Sequence, residues 1–400
     1  MDTTNYTLTK NNKTIPLVMI AIGVIAIVVG FMTDTTRAWA VLLQNNFYFT
    51  AMALAGTFFV AVNYAAQTGW TVAIKRVPEA MGGFLKFGAI GMILIFILGH
   101  DHLYFWTHAE HYQKFMADGK TLNPEYDHLL VGKSGFLNMP FFIIRMILYF
   151  TIWVGFTYLL RRESLREDVD GGLEHYRRCV KFGAIFLVLF AVTSSTSAWD
   201  FLMSIDSHWF STLFGWYTFI GLFVSGLAMM CMFILYLKMR GYMDHVNENH
   251  LHDVGKFMFA FSIFWTYLWF SQFMLIWYAN LPEEVVYYKV RWEHYRSMWI
   301  GNFLINFIAP FLVLMTRDAK RQVMILWVGG IIIFLGHWID VFMMVMPGTV
   351  GNQWHLGFIE FGTMIGYLGL FIWSTLSELS KAPLVPKHHP MLQESLHHHI

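Results

Sequence analysis

An all-α integral membrane protein of ten transmembrane helices is the fold class that three observations on this chain predict. Hydrophobic residues make up 56% of it and charged residues only 13%, where a soluble domain has about a quarter charged. Ten separate stretches stay apolar over the roughly 20 residues that a bilayer requires. Aromatic residues reach 18%, including the Trp and Tyr that favour the two membrane–water boundaries. The net charge of +1 excludes a protein that holds nucleic acid by electrostatics. The two cysteines, Cys179 and Cys231, form no CxxC or CxxCH. The chain therefore carries neither a four-thiolate iron–sulfur cluster nor a c-type haem of its own.

The first predicted span, 15–33, follows Lys10 and Lys13 with no small-residue cleavage signal after it, as a retained helix does. Spans 47–67 and 84–107 come next, and then the longest connection, 108–137, with Pro124, Gly132 and Gly135. The remaining spans are 138–160, 179–203, 212–238, 254–279, 297–315, 322–346 and 354–377. Residues 1–378 thus form one membrane domain, and 379–400 a tail. Pro383, Pro386 and Pro390 make that tail an extended segment that would lie on a partner. Its histidines, from His388 to His399, are read as adventitious metal binders only. Residues 72–83, with Lys75 and Arg76, are expected to lie along the membrane interface.

Lysine and arginine set the orientation. Of the 27, nineteen fall on the N-terminal side and seven on the opposite side, with Arg145 inside the fourth span. Both termini are expected to be cytoplasmic, which an even number of spans allows. An internal repeat is also suggested. Lys86-Phe-Gly-Ala-Ile90 opens the third span and Lys181-Phe-Gly-Ala-Ile185 the fifth, while Asp200-x-x-Met203 recurs as Asp340-x-x-Met343. The halves would be 47–203 and 212–346.

Ionisable residues inside spans point to function. His337 and Asp340 share one helix face at i, i+3. At about 1.5 Å per residue, His100 and Asp101 lie about 24 Å along the third span, in its outer third. Asp200, Arg145, Asn302 and Glu360 fall at a similar depth, with Arg145 expected to face a carboxylate. Thr193, Ser197 and Asp200 form a stripe at i, i+4 and i+7 that would carry protons outward. The other half of the membrane is thin in such groups. The set predicts one hydrated pocket open to the outer face. There His337 or His100 would hydrogen-bond a quinone oxygen, and Asp340, Asp101 or Asp200 would accept the released proton. A stand-alone transporter would instead line both halves with polar groups, and a pure scaffold would use them as helix glue.

The junction Trp199-Asp-Phe-Leu-Met-Ser-Ile-Asp-Ser-His-Trp209 and the tail run His389-Pro-Met-Leu-Gln-Glu-Ser395 resemble the ActF-type second membrane subunit of bacterial alternative complex III. That subunit belongs to the NrfD-like (polysulfide reductase membrane subunit) family. The resemblance extends over the whole chain. It implies ten helices in the bacterial inner membrane, with two four-helix bundles (spans 2–5 and 6–9) and two peripheral helices. It implies a sister NrfD-like subunit, an iron–sulfur subunit, c-type cytochrome subunits and a terminal oxidase as partners. The implied activity is quinol:cytochrome c oxidoreduction with a quinone such as menaquinone, the haem c and iron–sulfur clusters lying in the partners. Whether the quinol site, a proton path or only a scaffold resides in this chain stays open at this point.

Overall fold

The computed structural model describes residues 5–116 and 120–399. Residues 1–4, 117–119 and 400, which belong to the ends of the expected domain and tail and to the long connection, lie outside the described residues. Ten helices are long and apolar enough to cross a membrane. In chain order they are α1 (Lys10–Thr33), α2 (Thr35–Ala65), α3 (Arg76–Leu103), α4 (Met139–Asp170), α5 (Glu174–Phe201), α6 (Leu213–Met239), α7 (Glu248–Ala279), α8 (Arg296–Leu314), α9 (Val323–Thr349) and α10 (Phe358–Leu379). Among the described residues there is no strand, only isolated bridges at Asn5–Pro383 and Phe115–Leu122. The protein is an all-α, ten-helix polytopic membrane protein. The first described residues and the tail meet through the Asn5–Pro383 bridge at one end of the helices, called here the terminal face; the other end is the far face.

Several helices run well beyond their apolar stretch, because their ends are buried in protein instead of lipid. α2 begins at Thr35, capped by the Asp34 carboxylate accepting from the Arg37 amide. Its next turns carry Gln44, Asn45 and Asn46, which hydropathy would push out of a span. All three are buried, and each amide nitrogen donates to a carbonyl, of Trp338, Val41 and Gly88 respectively. Buried polar groups are tolerated once paired in this way.

Burial separates the helices into an inner and an outer set. The most apolar windows of α2, α6 and α9 are 78%, 89% and 72% buried, against 22% for α1. α2 packs against α3, α5, α6, α9 and α10, which makes it the central post. α1 is peripheral and lies along α10. A Cβ at Gly23 would sit 2.5 Å from the Gly366 Cα, so only glycine at both positions permits that approach. α8 contains a π turn at Leu304–Ile308 just before Pro310. Such bulges re-aim side chains and cluster at functional sites, and this one lies one turn from Asn302.

Two expectations about the terminal face are corrected. Residues 72–82 are buried and Gly83 is half-buried, so the segment packs inside the protein instead of lying on a lipid surface. The tail folds onto its own chain: the Ser395 hydroxyl donates to the Trp70 carbonyl and accepts from the Ala73 amide. Farther along, the amide side chains of Asn247 and Asn249 donate to the His398 carbonyl. The reason is that Lys75, Arg76 and the tail have buried partners on α4 and α7, which no local pattern reveals.

Candidate functional site

Four helices converge on Asp340. The carboxylate projects from α9 and is buried. The Tyr217 hydroxyl of α6 and the Asn302 amide of α8 (2.7 Å) both donate to Oδ1. The Trp265 indole N–H of α7 donates to Oδ2 at 3.0 Å. One turn before it on α9, His337 brings Nδ1 to 3.8 Å from Oδ2. The His337 ring is 1% exposed and neither of its nitrogens has a hydrogen-bond partner. Asn306 donates to the Asn302 side-chain oxygen at 2.6 Å, which turns the Asn302 amide nitrogen toward the carboxylate. Among the described residues no lysine or arginine hydrogen-bonds Asp340. His337 and Asp340 thus lie side by side on α9, and the carboxylate is held by neutral donors.

Beside it, toward the far face, lies a cavity of about 20 Å³ whose walls include Tyr217, Gln272, Arg291 and Asn302. That is room for about one water molecule, and the Gln272 side-chain oxygen is buried without a protein partner. Arg291 closes the outer side. It donates to the carbonyls of Met343 (3.1 Å) and Tyr287 (2.9 Å), and its Nη2 lies 3.3 Å from the Asp206 carboxylate. The Asp206 side chain is 28% exposed.

The other predicted residues form separate sets at the same depth. Asp200 is clamped by Arg145 through two parallel bonds of 2.8 Å, and the Tyr149 hydroxyl adds a third at 2.6 Å. The guanidinium is stacked between Phe136 and Phe141, 3.9 and 4.2 Å from the ring centroids. Glu360 forms a second two-pronged pair, with Arg37 of α2, both bonds 2.7 Å, and accepts from the Gly357 amide. This pair ties the start of α10 to the start of α2. His100 and Asp101 pair near the surface instead: Nδ1 lies 2.8 Å from Oδ1, with His100 half-buried against Phe96 and the Asp101 side chain 68% exposed.

Three corrections follow. The far-face layer exists, but its members do not meet in one pocket. They occupy three separate buried clusters and one surface pair, because each buried carboxylate found donors on neighbouring helices. The Thr193–Ser197–Asp200 stripe is not a hydrogen-bonded path. Thr193 donates to its own helix at Leu189 and accepts from Trp153, and Ser197 donates to Ser194, as hydroxyls in helices commonly do. An apolar groove of about 450 Å³ between α1, α6, α9 and α10 touches none of His100, Asp101, His337 or Asp340.

The expected one-sidedness is also overturned. At the terminal face Arg76 reaches Glu79 (2.8 Å) and Asp168, and Lys75 reaches Glu167 at 3.3 Å. Ser164 bridges Arg76 and Glu79, and all of these residues are buried. The tail covers them, with the Lys387 amide donating to Asp168. His389 packs on Tyr64 and Tyr176. Burial first, and then the charges of Lys75 and Arg76, push the His389 pKa down to about 2. The opposite-signed runs Lys75-Arg-Val-Pro-Glu79 and Arg166-Glu-Asp-Val-Asp170 were the available signal, but Lys75 and Arg76 were assigned to an interfacial segment instead.

No protein-family model and no curated protein matches this chain.

Proposed function

We propose that this chain is the membrane subunit of a bacterial quinol-oxidising oxidoreductase, of the kind its junction and tail motifs resemble, and that its own contribution is proton exchange at Asp340. The observation that supports this reading is a buried carboxylate held by three neutral donors, with an unpartnered histidine beside it and a polar cavity on its outer side. A carboxylate paired with arginine is already neutralised and has little reason to exchange a proton. Asp340 has no such partner, so taking up or losing a proton changes the charge of the interior. Tyr217 and Asn302 connect it to the cavity, and Arg291 with Asp206 connects the cavity to the far face. Quinol oxidation releases protons that need such an outlet.

In the assembled complex, Asp340→Asn keeps the size and the two bonds accepted by Oδ1, gives up the one from the Trp265 indole, and removes the titratable group. It is expected to slow quinol turnover and proton release together, with the complex still assembled. Unchanged turnover and unchanged proton release in that variant would remove the role.

A second reading is favoured by the buried charged cluster at the terminal face. Ionisable groups at both faces suit proton movement across the whole membrane. In proteoliposomes, the double variant Lys75→Met/Glu167→Gln would then abolish proton uptake from the terminal face while quinol oxidation continues.

A further inference from the structure

The connection that follows α3 at the far face holds His108, Glu110 and His111, with one ligand atom from each lying within 4.8 Å of the others. We propose that these three residues form a site for a divalent transition-metal ion of the zinc type. The inference does not depend on the Asp340 reading.

His111 is the anchor. Its ring is 6% exposed, and Phe105 stacks on it with centroids 3.8 Å apart. Its Nδ1 lies 3.0 Å from the Glu125 carbonyl. A carbonyl only accepts, so Nδ1 carries the proton and Nε2 carries the lone pair. That Nε2 is buried and has no partner. A basic nitrogen left bare inside folded structure, with the opposite nitrogen committed to a carbonyl, is the arrangement by which proteins fix a metal-binding imidazole. His108 is held in the same manner, its Nε2 3.0 Å from the Asp101 carbonyl, which leaves Nδ1 as the basic nitrogen. Glu110 is exposed and supplies a carboxylate that can swing in. Two neutral imidazoles and a carboxylate suit Zn²⁺ and related ions, with a fourth position left for water. Ca²⁺ and Mg²⁺, which take oxygen ligands, do not fit.

Plain packing explains the Phe105 stack but not the bare nitrogen. A bound ion would clamp the 3₁₀ turn Ala109–Tyr112 to the end of α3 through Asp101 and to the loop at Glu125–Asp127. The His111 carbonyl already accepts from the Asp127 amide there. The ion would therefore staple the first half of the long connection.

The test uses the full-length protein, purified in detergent and stripped with chelator. Zn²⁺ is titrated by calorimetry, and Co²⁺ is added to read the visible bands of a tetrahedral nitrogen–oxygen site. The proposal expects one equivalent of Zn²⁺ that survives in a variant with His397 and His399 changed to alanine. His111→Ala is expected to abolish it, and Glu110→Gln, whose side chain is exposed and not needed for folding, to weaken it at least about tenfold. The proposal is overturned if the stripped protein takes up no Zn²⁺. It is equally overturned if Glu110→Gln and His111→Ala bind like the parent, or if the metal leaves with the tail histidines.

Discussion

Asp200 and Asp340 stand at matching places in two similar sequence runs, yet the structure treats them differently. Each lies near the far-face end of its helix, and each is held by the helix just before it in the chain. α4 gives Asp200 a guanidinium and a phenol. α8 gives Asp340 an amide, and α6 and α7 add a phenol and an indole. The first carboxylate is cancelled by a fixed positive charge. The second is solvated by neutral dipoles and faces a histidine with no partner of its own. A titratable group in a membrane interior is informative only once its neighbour is known. The arginine makes one site a rivet, and its absence leaves the other held by neutral donors, which is why the proposed proton exchange is assigned to Asp340.

The contrast can be broken from either side. The largest effect is expected from Arg145→Ala, which leaves the buried Asp200 charge unpaired and should cost about 3–5 kcal/mol. Thermal unfolding in detergent measures this. Replacing both partners, as Arg145→Met with Asp200→Leu, should recover most of the loss. If proton release fell in that double variant while stability returned, Asp200 would be more than a rivet.

Next comes Asp340→Asn, with proton-coupled turnover expected to fall about 10²-fold, the usual range for losing a general acid–base group. Its stability should fall by no more than the loss of one buried bond, about 1–3 kcal/mol, because the amide oxygen keeps the Tyr217 and Asn302 contacts and only the Trp265 bond is lost. A large loss of stability with intact turnover would reverse the assignment of the two sites.

The buried histidine of the tail sharpens the comparison at the other face. In the docked tail the His389 pKa lies at about 2, whereas a released tail would titrate near 6.5. Below pH 6.5 the released form binds a proton that the docked form does not. Docking is therefore unaffected above that pH and weakens as pH falls, by up to about 1.4 kcal/mol per pH unit. Limited proteolysis of the tail at pH 7.5 and 5.5 should show the change, and His389→Phe should flatten it.

The smallest effect is expected for Tyr217→Phe, which removes one neutral donor to Asp340. Stability should change by about 0.5–1.5 kcal/mol. Turnover of the assembled complex should change even so, because the carboxylate loses one of its three donors. Turnover and proton release identical to the parent's would count against Asp340 as the exchanging group.

How much of this was readable beforehand varies by feature. Ten spans could be located because a bilayer imposes an apolar length that composition reports directly. The boundaries of α2 and α4 could not, since Gln44 to Asn46 and Glu163 to Asp168 are covered by protein, and hydropathy does not distinguish a protein interior from water. His337 and Asp340 were legible as a pair because helical spacing is local. The far-face depth of Arg145, Asn302 and Glu360 was legible too. Their pairing was open: Arg145 could have faced any nearby carboxylate, and only the packing of α4 on α5 assigns it to Asp200.

By itself, then, the sequence determined the class of the protein, the number of crossings and where along the chain most of them fall. Those properties follow from the cost of placing polar groups in lipid, counted along one strand of chain. Tertiary structure decided which carboxylates are paired with arginine, which one is held by neutral donors alone, and that the 72–83 segment and the tail are interior rather than surface. Those outcomes depend on contacts of a few ångströms between residues tens to hundreds of positions apart, and such contacts leave no periodic trace in the chain.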